Sequence, residues 1–393
     1  MAPFGRLPGY PIFWGLHYLL TKHSTYLAAA ITQAVLDSLC VFLIYQILLR
    51  VSVNEKMALL GAMIYAGYIF SIVWVPVTGS ESFGIFVSVL YLNCASRQQY
   101  SSKNWFVLTG LLGAVALYVR EFLGIFFLFT LVYFIYLFIQ KRIGFNRVVL
   151  YVLSFALLYG LWPLRNYVVY HRVEFLKPRN AGYPAFGKDF ASFREWMYAW
   201  HTEVQPYLDR IRAGKDPEFP STIFKNEGQH QQVNILVKKS MQCGTSFNAW
   251  NDKKPELPNC DNEISQQFDL LRSEFIKRKP FTFYVKIPAL NISKAFFKGS
   301  LSNNTSIPTV FVKIAFAWRT LLVILGFAGL FFMPVSLTRF LIFCFSVFMY
   351  VYITCYIRQV EMRYLLQADV WLLIPAVVFV SNWVNSKNAK KQL

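Results

Sequence analysis

The sequence predicts an all-α polytopic membrane protein with about nine transmembrane helices and a mainly helical external insertion. Three observations predict it. Apolar residues make up 56% of the chain and charged residues only 15%, whereas a soluble domain carries about a quarter charged residues. The apolar residues fall in blocks, not in periodic stripes, as a bilayer requires. Most Lys and Arg residues sit in short loops between the blocks. A formal charge of +19 therefore reads as loops facing anionic lipid, and nucleic acid is excluded as a partner.

The blocks place spans at roughly 24–49, 57–76, 82–97, 104–119, 121–140, 147–164, 311–333, 337–357 and 364–385. Ahead of them, Pro8 to Leu20 is short and aromatic-rich and reads as an interfacial helix. No cleavable signal peptide is expected, because Met1 to Pro11 lacks a basic start and an apolar run. The division is 1–165 for an N-terminal membrane domain, 166–310 for an external soluble insertion and 311–393 for a C-terminal membrane segment.

Charge sets the orientation. Alternate loops carry Arg50 and Lys56, Arg97 and Lys103, Lys141, Arg142 and Arg147, Arg339, and the tail lysines Lys387, Lys390 and Lys391. The positive-inside rule makes this side cytoplasmic. The insertion then faces the periplasm, the cell exterior or an organelle lumen. Within it, Ile264, Phe268, Leu271 and Phe275 trace one helical face. Asp261 or Asn262 would cap that helix and Pro280 would stop it. A second helix is expected from about Phe190 to Ile211, while Gly228 to Pro258 is polar and loop-like. Cys243 and Cys260 lie in the insertion and could pair in an oxidising compartment.

The charges that break the positive-inside pattern carry the chemistry. Arg120, Arg165, Arg358 and Arg363 fall on the outer side, with Glu121 beside Arg120 and Glu361 between Arg358 and Arg363. Glu81 stands alone in its loop. Arginine binds phosphate oxygens bidentately and stays charged, which suits a phosphate at headgroup level. The competing reading is a set of local Arg–Glu pairs that fasten helix ends. Asp37, Arg319 and Asp369 lie within spans. Arg319 and Asp369 are placed to form a buried structural pair, and Asp37 has no evident partner. The sequence contains neither the P-loop pattern nor a G-x-S-x-G elbow, and no two His share metal-ligand spacing on a helix. No cofactor is required; a divalent metal ion is compatible with the sequence, though no motif demands it.

Several segments, in order, resemble the bacterial polytopic glycosyltransferases of the C superfamily. These are relatives of the dolichyl-phosphate-mannose protein mannosyltransferases and the lipid A aminoarabinose transferases. The segments are Pro8-Gly9-Tyr10-Pro11, Ser80-Glu81, Arg120, Trp162-Pro163-Leu164-Arg165-Asn166-Tyr167 and Glu361-Met362-Arg363-Tyr364. The resemblance implies transfer of a sugar from a polyprenyl-phosphate carrier to a glycan, lipid or protein acceptor at the outer membrane face. Arg120, Arg165, Arg358, Arg363 and Tyr364 would hold the carrier phosphate, and Glu81 and Glu361 are the candidate catalytic acids. The implied location is a bacterial inner membrane with the insertion periplasmic or extracellular. Family members open with a helix and an outer-loop acid that serves as general base, whereas Met1 to Lys22 holds no Asp or Glu. A shortened chain, a relative without catalysis, or a base from elsewhere would each explain this. After Tyr364 the family usually reads Arg-Leu-Pro, where this chain has Leu365-Leu366-Gln367. The alternatives are a non-catalytic relative that binds lipid-linked sugar or scaffolds a complex, and a transporter or flippase.

Overall fold

The computed structural model describes residues 7–51, 53–97, 99–176, 187–251, 254–297, 309–358 and 360–391, with side chains assigned up to Lys387. The stretch Asn303-Asn304-Thr305-Ser306, which matches the Asn-x-Ser/Thr glycosylation pattern twice, and the tail side chains Lys390 and Lys391 lie outside this description. Helices in chain order are α1 (Gly9–Thr21), α2 (Thr25–Arg50), α3 (Glu55–Ala66), α4 (Ile69–Ile72), α5 (Ser80–Ser96), α6 (Lys103–Val119), α7 (Ile125–Ile139) and α8 (Phe145–Tyr170). They continue as α9 (Lys188–Trp200), α10 (Gln205–Arg212), α11 (Glu227–Cys243), α12 (Thr245–Trp250), α13 (Asp261–Arg278), α14 (Ile287–Phe297), α15 (Thr309–Gly329), α16 (Leu337–Val351) and α17 (Leu366–Lys391). The described residues contain no strand, and the chain is an all-α integral membrane protein. Six candidate spans are long and apolar enough to cross a bilayer; α3, α5 and α6 are shorter.

The chain forms two compact units: 7–176, 296–351 and 361–393 make one, and 177–295 with 352–360 make the other. In the first, the last helix is central. Of the six spans, α17 has the lowest hydropathy, 1.4, and the most buried apolar window, 72%. A helix enclosed by other helices needs less apolar surface than one facing lipid. Small residues let its neighbour approach: a Cβ on Gly329 of α15 would meet Pro375 O at 1.8 Å, and one on Gly326 would meet Leu372 O at 2.5 Å. The block at 57–76 is not one helix. Gly67 ends α3, Tyr68 is extended, and the Tyr68 hydroxyl donates to Asp369 Oδ2 at 3.3 Å.

The second unit packs α9 and α13 around Phe190, Phe193, Trp196, Phe247, Ile264 and Phe268. The predicted face of α13 is buried at Ile264, Phe268 and Phe275, with Leu271 partly so. Its capping differs from expectation: Cys260 is the N-cap, and Asp261 Oδ1 instead accepts from Thr245 N of α12 at 2.7 Å. The expected helix from Phe190 to Ile211 breaks at His201–Val204, because Pro206 supplies no amide proton and starts a new helix. The loop-like stretch after Gly228 contains α11 and α12. The buried stripe of α11 is Val233, Val237, Ser240 and Cys243, too narrow and too polar to register as apolar periodicity. Its N-cap was legible: Asn226 Oδ1 accepts from Gln229 N at 2.9 Å. Cys243 and Cys260 form a disulfide. Asn291-Ile292-Ser293 also matches the glycosylation pattern, but Asn291 is fully buried and its Nδ2 donates to Thr354 O at 3.0 Å, so it cannot accept a glycan.

Candidate functional site

The site is built where the start of α5, the end of α6 and the entry to α17 meet. Gly79 is the extended N-cap of α5 and Glu81 lies in its first turn, where the helix dipole favours a carboxylate. A Cβ on Gly79 would sit 2.2 Å from Glu81 Oε2, so a larger residue there would push the carboxylate off the helix start. Arg120 leaves α6 in extended conformation and turns its side chain onto α5. Its Nη2 meets Glu81 Oε1 at 2.8 Å and its Nε donates to Ser80 Oγ at 3.1 Å. Glu81 is thus paired across 39 residues, not alone as the sequence suggests. Gly9, in the Pro-Gly-Tyr-Pro stretch, abuts the same turn: a Cβ there would meet Tyr118 C at 2.6 Å and Val119 N at 2.7 Å.

From the α17 side, Arg363 Nε pairs with Glu361 Oε2 at 2.5 Å and its Nη2 donates to the Tyr364 hydroxyl at 3.2 Å. The two halves act on one another electrostatically. Burial lowers the pKa of Arg120, Glu81 pulls it back up, and the Arg363 charge lowers it again. For Arg363, burial also lowers the pKa, but Tyr364, Glu361 and Glu81 outweigh it and the net shift is upward. Burial and Glu361 raise the Tyr364 phenol, which keeps it a neutral donor. Arg120 Nη1 is buried without a partner among the described residues.

The other predicted arginines have different surroundings. Arg165 is exposed on α8; its Nη1 donates to Asn166 Oδ1 at 2.9 Å, and its guanidinium faces the rings of Trp162 and Tyr170 at 5.5 and 5.0 Å. Arg358 belongs to the second unit. Its guanidinium lies 3.5 Å over the Phe283 ring and Nη2 donates to Phe283 O at 3.0 Å. Burial, then the charge of Arg272, push it down to about 10.

Arg319 and Asp369 form the expected buried pair, with Nε to Oδ2 at 2.7 Å. Sequence reading missed its two tyrosine partners: Tyr350 donates to Asp369 Oδ1 at 2.7 Å and Tyr68 to Oδ2. Asp37 also has partners, the hydroxyls of Tyr65 at 2.5 Å and Ser71 at 2.9 Å. Tyrosines counted as apolar bulk supply three of these four hydroxyls, and composition gives no sign of it. Among the described residues, no three His, Cys, Asp or Glu side chains gather where they could hold a metal ion.

The class defined so far is an all-α integral membrane protein with an arginine–carboxylate site at the ends of its helices. Comparison with known families narrows it. Residues 6–164 match the family model of dolichyl-phosphate-mannose-protein mannosyltransferase, and the match supports the C-superfamily glycosyltransferase family that the motifs resemble. The matched region includes Pro8–Pro11, Ser80, Glu81 and Arg120; Arg165 and the Glu361–Tyr364 stretch lie beyond it. No curated protein matches the chain.

Proposed function

We propose that this protein transfers a sugar from a polyprenyl-phosphate carrier to a glycan, lipid or protein acceptor at the non-cytoplasmic face of its membrane. The observation that carries the reading is the pairing of Arg120 with Glu81 within electrostatic reach of Arg363 and Tyr364. Two guanidinium groups held by carboxylates are ready to exchange a carboxylate for a phosphate. Which pair yields is set by burial. The Arg363 and Glu361 side chains are 36% and 35% exposed, and so open a pair contributes about 0–1 kcal/mol. The Arg120–Glu81 pair is buried, and separating it leaves a desolvated charge behind. Phosphate therefore displaces Glu361 from Arg363, while Arg120 stays oriented by Glu81 and points its remaining Nη1 at the same oxygens. Stabilising the charge on the departing carrier phosphate is the main catalytic contribution. Glu81 acts here as an orienting group. Arg165 remains a candidate on the strength of its sequence motif, and Arg358 on its outer-side place in the sequence alone.

The commitment of Glu81 to Arg120 favours one second reading, a relative that binds the lipid-linked sugar without turning it over. Purified protein assayed with radiolabelled polyprenyl-phosphate sugars separates the two. Release of polyprenyl phosphate that falls in Arg363→Ala and Glu81→Gln establishes the transferase. Retained carrier without release in every variant favours the binding protein, and no retention of any carrier removes the phosphate site.

A further inference from the structure

Gln367 opens α17 fully buried, and neither its Oε1 nor its Nε2 has a partner among the described residues. Burying an amide without partners is unfavourable unless something completes its hydrogen bonds. Its neighbours show what it faces. A Cβ on Gly84 would lie 3.2 Å from Gln367 Nε2 and 3.2 Å from Arg120 Cδ, so the amide and the Arg120 stem flank the same side-chain-free point on α5. Among the described residues, the atoms of these two side chains left without partners are two donors, Arg120 Nη1 and Gln367 Nε2, and one acceptor, Gln367 Oε1.

This donor and acceptor set discriminates between ligands. Phosphate oxygens only accept, so a phosphate would satisfy Arg120 and Nε2 and leave Oε1 facing lone pairs. A hydroxyl both donates and accepts, and two neighbouring hydroxyls satisfy both ends of a carboxamide. We infer that Gln367 reads neighbouring hydroxyls of the sugar on the carrier phosphate and so helps set sugar specificity. The inference rests on the carrier-phosphate reading above. Gln367 also falls in the stretch where this chain departs from the Arg-Leu-Pro of the family it resembles.

The test is a binding comparison that needs no acceptor. Bare polyprenyl phosphate and polyprenyl phosphates bearing glucose, mannose or aminoarabinose are titrated into wild type, Gln367→Leu and Gln367→Met. The last variant keeps the length and volume of the side chain without adding charge and removes both ends of the amide. The expected result is unchanged affinity for the bare lipid and a loss on the order of tenfold for the preferred glycosylated lipid in both variants. Equal losses for bare and glycosylated lipid would overturn the inference and make Gln367 part of the phosphate grip. Unchanged affinity for both would overturn it too, leaving the amide to ordered water. If wild type binds neither lipid, the carrier-phosphate reading itself fails and the inference falls with it.

Discussion

The membrane unit contains two buried arginine–carboxylate pairs of the same chemistry and opposite finish. Around Arg319 and Asp369, two tyrosine hydroxyls complete the carboxylate, and no side-chain nitrogen or oxygen of either residue is buried without a partner. Around Arg120 and Glu81, the guanidinium keeps an Nη1 without a partner among the described residues and its stem lies near the Gln367 amide, with a second cation in electrostatic reach. A closed pair leaves a ligand nothing to bind and acts as a structural fastening between α15 and α17. An open pair holds unsatisfied donors in place for a ligand. Burial of a charge pair is therefore no sign of function; the partners left over are.

The largest effect is expected at the closed pair. Arg319→Met leaves Asp369 buried and unpaired and should destabilise the protein by roughly 3–5 kcal/mol. Thermal unfolding in detergent would show it, and the double variant Arg319→Met/Asp369→Leu should recover most of the loss. A single variant with unchanged stability would break the comparison. At the open pair, Arg120→Lys keeps a cation beside Glu81 but loses the fork geometry. Carrier release should fall about 10²–10³-fold with little change in melting temperature.

A perturbation away from both pairs sets the scale. Opening the Cys243–Cys260 disulfide with Cys243→Ser/Cys260→Ser frees a 17-residue separation and should cost the second unit about 3 kcal/mol. Proteolysis of that unit would report it. The smallest effect distinguishes finish most finely: Tyr350→Phe and Ser80→Ala each remove a hydroxyl bound to a charged group. The loss should be larger at the buried Tyr350–Asp369 bond, about 1.5–3 kcal/mol, than at the part-buried Ser80–Arg120 bond, about 1 kcal/mol, where water can replace the hydroxyl. Equal costs would mean that the two pairs do not differ as described.

Much of this was legible in the sequence, for a physical reason: a bilayer imposes apolar blocks and loop charges on any chain that crosses it. The all-α membrane architecture and the pairing of Arg319 with Asp369 both follow from those blocks. What escaped are contacts made at long range. Arg120 has Glu121 as its sequence neighbour and Glu81, 39 residues away, as its partner. Asp37 is satisfied by Tyr65 and Ser71 from 28 and 34 residues on. The break at Gly67–Tyr68 inside an apolar block serves the hydroxyl bond from Tyr68 to Asp369, 301 residues further along. Apolar bulk and hydroxyl donor are the same letter in a tyrosine, and only packing tells which role it plays. The helix α11 escaped because its buried stripe includes Ser240 and Cys243.

The most direct test sets the two pairs against each other in one assay. Release of polyprenyl phosphate and melting temperature are measured for Arg363→Ala and for Arg319→Met/Asp369→Leu. Arg363→Ala should lose about 10²–10³-fold in release while its melting temperature moves little, because its pair is half exposed. The double variant should release carrier at close to the wild-type rate. Full release from Arg363→Ala, with release abolished in a folded double variant, would contradict the account and move the chemistry to the pair described here as closed.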